Sequence, residues 1–129
     1  DTQAREEIER RAMDAVMEAE RRLGFEPHDV SEHNYGWDIQ SRTQRNGDVR
    51  FIEVKGRVKG AATITVTKNE ILAGLNQPER YILAIVLAGP EGMEGPFYLR
   101  KIFQSEPGFG VTSVNYTLSD LLSRAESPS

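Results

Sequence analysis

Tyr35-Gly36-Trp37-Asp38-Ile39-Gln40-Ser41-Arg42-Thr43 is followed, beyond Asn46-Gly47-Asp48, by Val49-Arg50-Phe51-Ile52-Glu53-Val54-Lys55-Gly56. Both arms alternate apolar and polar residues. Asn-Gly between two such runs is a strong hairpin signal, because both residues accept the left-handed backbone of a tight turn. A hairpin is expected over 37–43 and 49–58. With Asn46 and Gly47 as the two central turn residues, opposed positions sum to 93. Arg42 then faces Phe51, Gln40 faces Glu53 and Asp38 faces Lys55 on one side, while Ile39, Ile52 and Val54 point into a core. As diagonal neighbours, Asp38 and Glu53 lie roughly 7 Å apart at Cα, so both carboxylates can reach one cation between them. Magnesium takes one or two carboxylates and completes its octahedron with water and phosphate oxygens. A lysine beside it can orient or deprotonate a water, or neutralise charge on a phosphate, and Gln40 can hold that water or a phosphate oxygen. The same residues equally suit a cross-strand ion pair on an exposed face, and spacing alone leaves both readings open.

Upstream, Ile8, Ala12, Ala15, Val16, Ala19 and Leu23 recur at three- and four-residue steps, which predicts an amphipathic helix over 4–23 ended by Gly24. Glu20 borders its apolar stripe. A first short strand is expected at 29–32. Downstream, Thr63 to Thr67 reads as a strand, and Thr67-Lys68-Asn69-Glu70 has capping-box spacing, opening a helix through about Leu75 before Pro78. Glu70 and Thr67 are therefore read as capping residues. Tyr81 to Leu87 is a continuous apolar run, as expected of a strand buried on both faces in a mixed sheet. The Gly- and Pro-rich 88–96 reads as a loop, 97–103 and 111–116 as strands, and 118–125 as a last short helix. Alternation sends Trp37, the only tryptophan, to the face opposite Asp38, which favours core packing over base stacking. The fold class that results is α/β, a central mixed sheet flanked by helices.

The 129 residues have room for one domain, expected over 1–126 with 127–129 as a disordered tail; a first residue of Asp points to a piece of a longer protein. No apolar run reaches 18 residues and no basic-then-apolar leader opens the sequence, so no membrane partner is expected. The absence of cysteine excludes disulfides and Cys-ligated metals and suits a reducing, cytoplasmic setting. The net charge of -4 is uneven: residues 1–34 carry ten acids against five bases, and residues 35–80 five against eight. The overall sign argues against a sequence-independent DNA coat. A local patch of Arg42, Arg45, Arg50, Lys55, Arg57, Lys59 and Lys68 can still hold phosphates. No Walker fingerprint surrounds Gly60-Ala61-Ala62, and no Gly-x-Ser-x-Gly elbow occurs.

Residues 35–39 followed by Ile52-Glu53-Val54-Lys55-Gly56 resemble the paired motifs of the PD-(D/E)XK nuclease superfamily, with Asp38 as the Asp, Glu53-Val54-Lys55 as ExK, and Trp37 where that pattern has proline. The order of elements resembles its restriction endonuclease-like αβββαβ core. More closely, the chain is similar to the domain at the C-terminus of the plant protein NO VEIN, also appended to prokaryotic helicase-like and restriction-type proteins. Glu20, 36–39, 52–56, 67–70 and the Tyr81 strand carry that likeness, over about residues 5 to 90. The resemblance implies a Mg²⁺ or Mn²⁺ site of Asp38 and Glu53 extended by Glu20, with Lys55 as the catalytic lysine. It implies a DNA endonuclease domain of a larger nucleic-acid-processing or defence protein. Apart from the resemblance, Arg42, Arg57, Lys59 and Lys68 read either as a DNA-facing rim or as ordinary solvated side chains. A helicase-like neighbour in the same longer chain and a homodimer are the expected protein partners. The alternative is a catalytically silent module of the same fold that binds DNA or protein, motivated by the acidic first helix and the negative total charge.

Overall fold

The computed structural model describes residues 1–43 and 46–129. The first helix, α1 (Thr2–Arg22), is capped by the Asp1 carboxylate and buries Ala12, Val16, Ala19 and Glu20. Strands β1 (Glu26–Asp29), β2 (Ile39–Arg42) and β3 (Val49–Val58) follow, then β4 (Thr63–Thr67), α2 (Lys68–Asn76), β5 (Tyr81–Gly89), β6 (Gly92–Leu99), β7 (Ser113–Thr117) and α3 (Leu118–Arg124). The main sheet runs β1-β2-β3-β5-β6, and β4 pairs with β7 in a separate ribbon. β3 and β5 are parallel, joined through β4 and α2, while the other neighbours are antiparallel, so the sheet is mixed. Among the described residues no helix is long and apolar enough to cross a membrane.

The two faces of the sheet carry two cores. Ile39, Ile52, Ile82, Ala84, Val86 and Tyr98 pack with Ala12 and Val16 of α1. Leu83, Ile85 and Leu87 face Ile64 and Val66 of β4, Ile71 of α2, and Leu118 and Leu121 of α3. The Tyr81 run is thus buried on both faces, as its unbroken hydrophobicity predicts. α1 lies close on β3 because Gly56 has no side chain: a Cβ there would stand 2.9 Å from Ala12 Cβ and 3.1 Å from the Ile8 carbonyl oxygen.

Three sequence expectations are corrected. The first strand is residues 26–29, and Ser31–His33 is a single 3-10 turn; Pro27 is tolerated there because β1 is an edge strand. The Gly- and Pro-rich 88–96 largely forms the β5–β6 hairpin, with Gly89 opposite Gly92 and Pro96 on the other edge strand beside an irregularity of register. The hairpin ladder matches Ile39 with Ile52 and Arg42 with Val49, and closes with Thr43 N–H donating to the Asp48 carbonyl at 2.7 Å. Opposed positions therefore sum to 91 rather than 93. The Asn46 and Gly47 left-handed conformations are present, but they end a longer connection. At the chain end, the Ser129 backbone oxygen, in the tail expected to be disordered, accepts bonds from Arg50 and Arg100 at 2.7 Å each.

Candidate functional site

β2 stops pairing with β3 at Ile39–Ile52, so the second half of β3 has a partner on one side only. Asp38 sits at that break. Its N–H donates to the Ile52 carbonyl, and its Oδ2 accepts the Val54 N–H at 2.9 Å, capping the open strand edge. The corrected register, carried one residue further, puts Asp38 opposite Glu53, closer than the diagonal expected from the sequence, and near enough for the Asp38 charge to raise the Glu53 pKa. A shift of two residues keeps side-chain parity, so the predicted face survives the register error.

Lys55 follows on the same face. Its Nζ is 3.4 Å from Glu53 Oε2 and 2.8 Å from Glu70 Oε1. Glu70 does two jobs, because its Oε1 also accepts the Thr67 N–H at 2.9 Å to complete the capping box. The sequence identified the cap and missed the bond to Lys55; β4 and α2 bring that helix terminus over the β3 face. Gln40 stands opposite Phe51, not Glu53, and does not line the cleft described below.

Burial raises the Asp38 pKa, opposed by the Val54 N–H and by its contact with Glu53. Burial first, then the charges of Asp38 and Glu70, push the Glu53 carboxyl well above the usual carboxylate range, against the pull of Lys55. On Lys55 burial disfavours the charge, but Glu53 and Glu70 outweigh it and its pKa is raised. Both neighbouring carboxylates thus favour the ammonium form of Lys55.

A carboxyl whose folded pKa exceeds its unfolded one is ionised in the folded state at a cost. That cost is absent at low pH and grows as pH rises past the ordinary carboxylate range toward the folded pKa. Glu53→Gln is therefore expected to raise the melting temperature near about pH 7.5, by roughly 3–5 °C per kcal/mol relieved, and to leave it unchanged near about pH 4. Lys55 keeps Glu70 as partner in this variant. Calorimetry in EDTA at both pH values checks it, and a wild type more stable than the variant at the higher pH would contradict it.

Gly36 sets the approach to Asp38. Its φ is +101°, and a Cβ would fall 2.7 Å from Ala73 Cβ and 3.0 Å from the Asn69 carbonyl oxygen of α2. Its own carbonyl accepts the buried Tyr81 hydroxyl at 3.0 Å. Gly36→Ala is expected to cost about 2–4 kcal/mol through clash and left-handed strain together, seen as a lower urea midpoint.

Glu20 is not part of this site. It lies on the α1 face of the sheet, wholly buried, whereas Glu53 and Lys55 share the face of Leu83 and Ile85. Both its oxygens are taken by Arg50, at 2.9 and 2.7 Å, and Oε2 also accepts the Tyr98 hydroxyl at 2.6 Å. The acids of α1 that do reach the open edge are Glu6, Glu9 and Asp14, which with Asp29, Asp38 and Glu53 line a cleft of about 700 Å³. Arg5, Arg10, Lys55 and Arg57 are its cations. The basic patch expected from the sequence is dispersed: Arg57 lines the cleft, Lys59 is paired with Glu94 at 2.9 Å, and Arg50 is spent on Glu20. Lys68 opens α2, Arg42 stands outside the cleft opposite Val49, and Arg45 lies outside the described residues.

Among the described residues no three acids or histidines converge as a ready cation cage. Two opposed carboxylates are nonetheless the protein share that magnesium or manganese takes when water and phosphate complete its shell. A buried carboxyl beside a half-buried one of like charge is also what a divalent cation relieves, so the residues fit such an ion.

The family model for the C-terminal region of Protein NO VEIN matches residues 8–99. The chain belongs to this family. The match takes in α1, the hairpin with Asp38, Glu53 and Lys55, α2, β5 and β6. No curated protein matches. Among solved structures, a Holliday junction resolvase, Hjc, of the archaeal hyperthermophile Archaeoglobus fulgidus is similar with a TM-score of 0.57 at 11% identity, covering 88% of this chain and 94% of that one. At that identity the likeness speaks for the fold, which is restriction endonuclease-like.

Proposed function

We propose that this NO VEIN C-terminal domain is a divalent-metal-dependent DNA nuclease, carried in a larger nucleic-acid-processing or defence protein. The observation that carries it is the Asp38–Glu53 pair at the open edge of β3, with the Lys55 ammonium 3.4 Å from Glu53. The resolvase likeness supports DNA as the substrate class, branched DNA included. Asp38, oriented by the Val54 N–H, and Glu53 hold the cation. A divalent ion there supplies Lewis-acid polarisation of the phosphodiester and a more acidic water. Water adds to phosphorus, one P–O ester bond breaks, and the leaving sugar oxygen takes up a proton. Lys55 stabilises the negative charge gathering on the phosphate, and Arg57 at the cleft wall holds a flanking one. Acids dominate the cleft, which favours a cation bound ahead of DNA and leaves backbone affinity to the neighbouring parts of the longer protein.

The test is incubation with supercoiled plasmid, linear duplex, single strands and a four-way junction in Mg²⁺ or Mn²⁺. Cleavage is expected, and EDTA is expected to abolish it. The alternative of a catalytically silent module draws on one observation, that Lys55 is already held by Glu70 at 2.8 Å. Metal binding without cleavage of any of these DNAs would favour it.

A further inference from the structure

Four rings form a row beside the carboxylates. His33 stacks on Tyr35 with centroids 5.1 Å apart and planes 8° from parallel; Tyr35 meets Trp37 at 5.5 Å, and Trp37 stacks on Phe51 at 4.3 Å. The sequence had Trp37 as a core ring on the far face. It joins neither apolar core, because β2 begins only at Ile39 and strand alternation does not extend back to residue 37. Trp37 immediately precedes Asp38, and Phe51 lies two residues before Glu53 on the same strand face, so the row adjoins the carboxylates within about 7 Å of strand.

The segment is built to present rings. Asn34 at φ +55° and Gly36 at φ +101° alternate with the aromatic positions. The Asn34 carbonyl accepts Asn69 Nδ2, and the Gly36 carbonyl accepts the Tyr81 hydroxyl. The even positions anchor the backbone while the odd ones carry the rings outward. His33 is exposed, and Tyr35 is 46% exposed. Among the described residues the buried Trp37 Nε1 has no hydrogen-bond partner.

We infer that this row is a stacking platform for an unpaired nucleobase of a DNA strand, placing the adjoining phosphate at Asp38 and Glu53. Every base offers a π-face, so such a platform selects single-stranded or unpaired nucleotides over intact duplex without reading sequence. The position of the phosphate rests on the proposed nuclease site; the stacking itself does not. Bases enter against Tyr35, extending the row or displacing the His33 ring.

Binding is measured in EDTA, where no cleavage occurs, with a labelled oligo-dT strand and a blunt duplex, by anisotropy and by emission of Trp37, the only tryptophan. Oligo-dT is expected to quench Trp37 and to bind roughly tenfold more weakly to Tyr35→Ala, with Tyr35→Phe near wild type. Duplex binding is expected to be indifferent to both. Tyr35→Ala binding oligo-dT as the wild type does, an equal loss on duplex, or no binding of any DNA would each overturn the platform. Tyr35-dependent binding by a protein that cleaves nothing in Mg²⁺ would instead overturn the nuclease reading and keep the platform.

Discussion

Lys55→Met is expected to lower DNA cleavage by roughly 10²–10³-fold while leaving divalent-ion binding and the fold in place. The methionine keeps an unbranched apolar stem against the sheet and deletes only the charge. Glu53 and Glu70 favour that charge, and its proposed contribution is to a phosphate gathering negative charge. The loss is expected in the single-turnover rate, with manganese affinity within about twofold of wild type, since an interaction made mainly in the transition state leaves the ground state unmoved. Unchanged cleavage would remove Lys55 from the chemistry.

Glu20→Gln is expected to destabilise the fold by about 3–5 kcal/mol, a large share of a typical domain's total. Glu20 is 0% exposed, the Arg50 side chain is 13% exposed, and the guanidinium also lies 4.6 Å from the Phe25 ring centroid. Removing the carboxylate strands a desolvated cation and weakens the partner of the Tyr98 hydroxyl. The double variant Glu20→Leu with Arg50→Leu is expected to recover much of the loss, because no charge is then left buried alone. Urea unfolding of the three proteins measures both effects. Cleavage lost by Glu20→Gln at a temperature where it remains folded would return Glu20 to the active site.

Much of this arrangement is legible in the sequence, and the failures share a physical origin. Periodicity gives α1, the unbroken apolar run gives β5, and the Thr67–Glu70 spacing gives the cap, since each depends on neighbours along the chain. The site face depends only on parity, so Asp38, Glu53 and Lys55 come together although the register is two residues off. Glu20 is expected at the metal only through the resemblance, and docking of α1 buries it on the other face of the sheet against Arg50 and Tyr98. Trp37 fails because alternation was carried past the start of β2. The second role of Glu70 and the reach of Glu6 and Glu9 into the cleft arise only once the elements are docked. The Gly- and Pro-rich 88–96 reads as a loop yet forms most of the β5–β6 hairpin, because an edge strand has no outer N–H to lose.

The proposed nuclease requires Asp38 and Glu53 to hold a divalent cation. Its most direct measurement is single-turnover cleavage in Mn²⁺ by wild type and Glu53→Gln, with bound Mn²⁺ counted by electron paramagnetic resonance in the same samples. Bound manganese and cleavage are predicted to fall together in the variant. Cleavage that persists in Glu53→Gln, or in wild type stripped of metal by EDTA, would rule out a metal-dependent nuclease built on this pair.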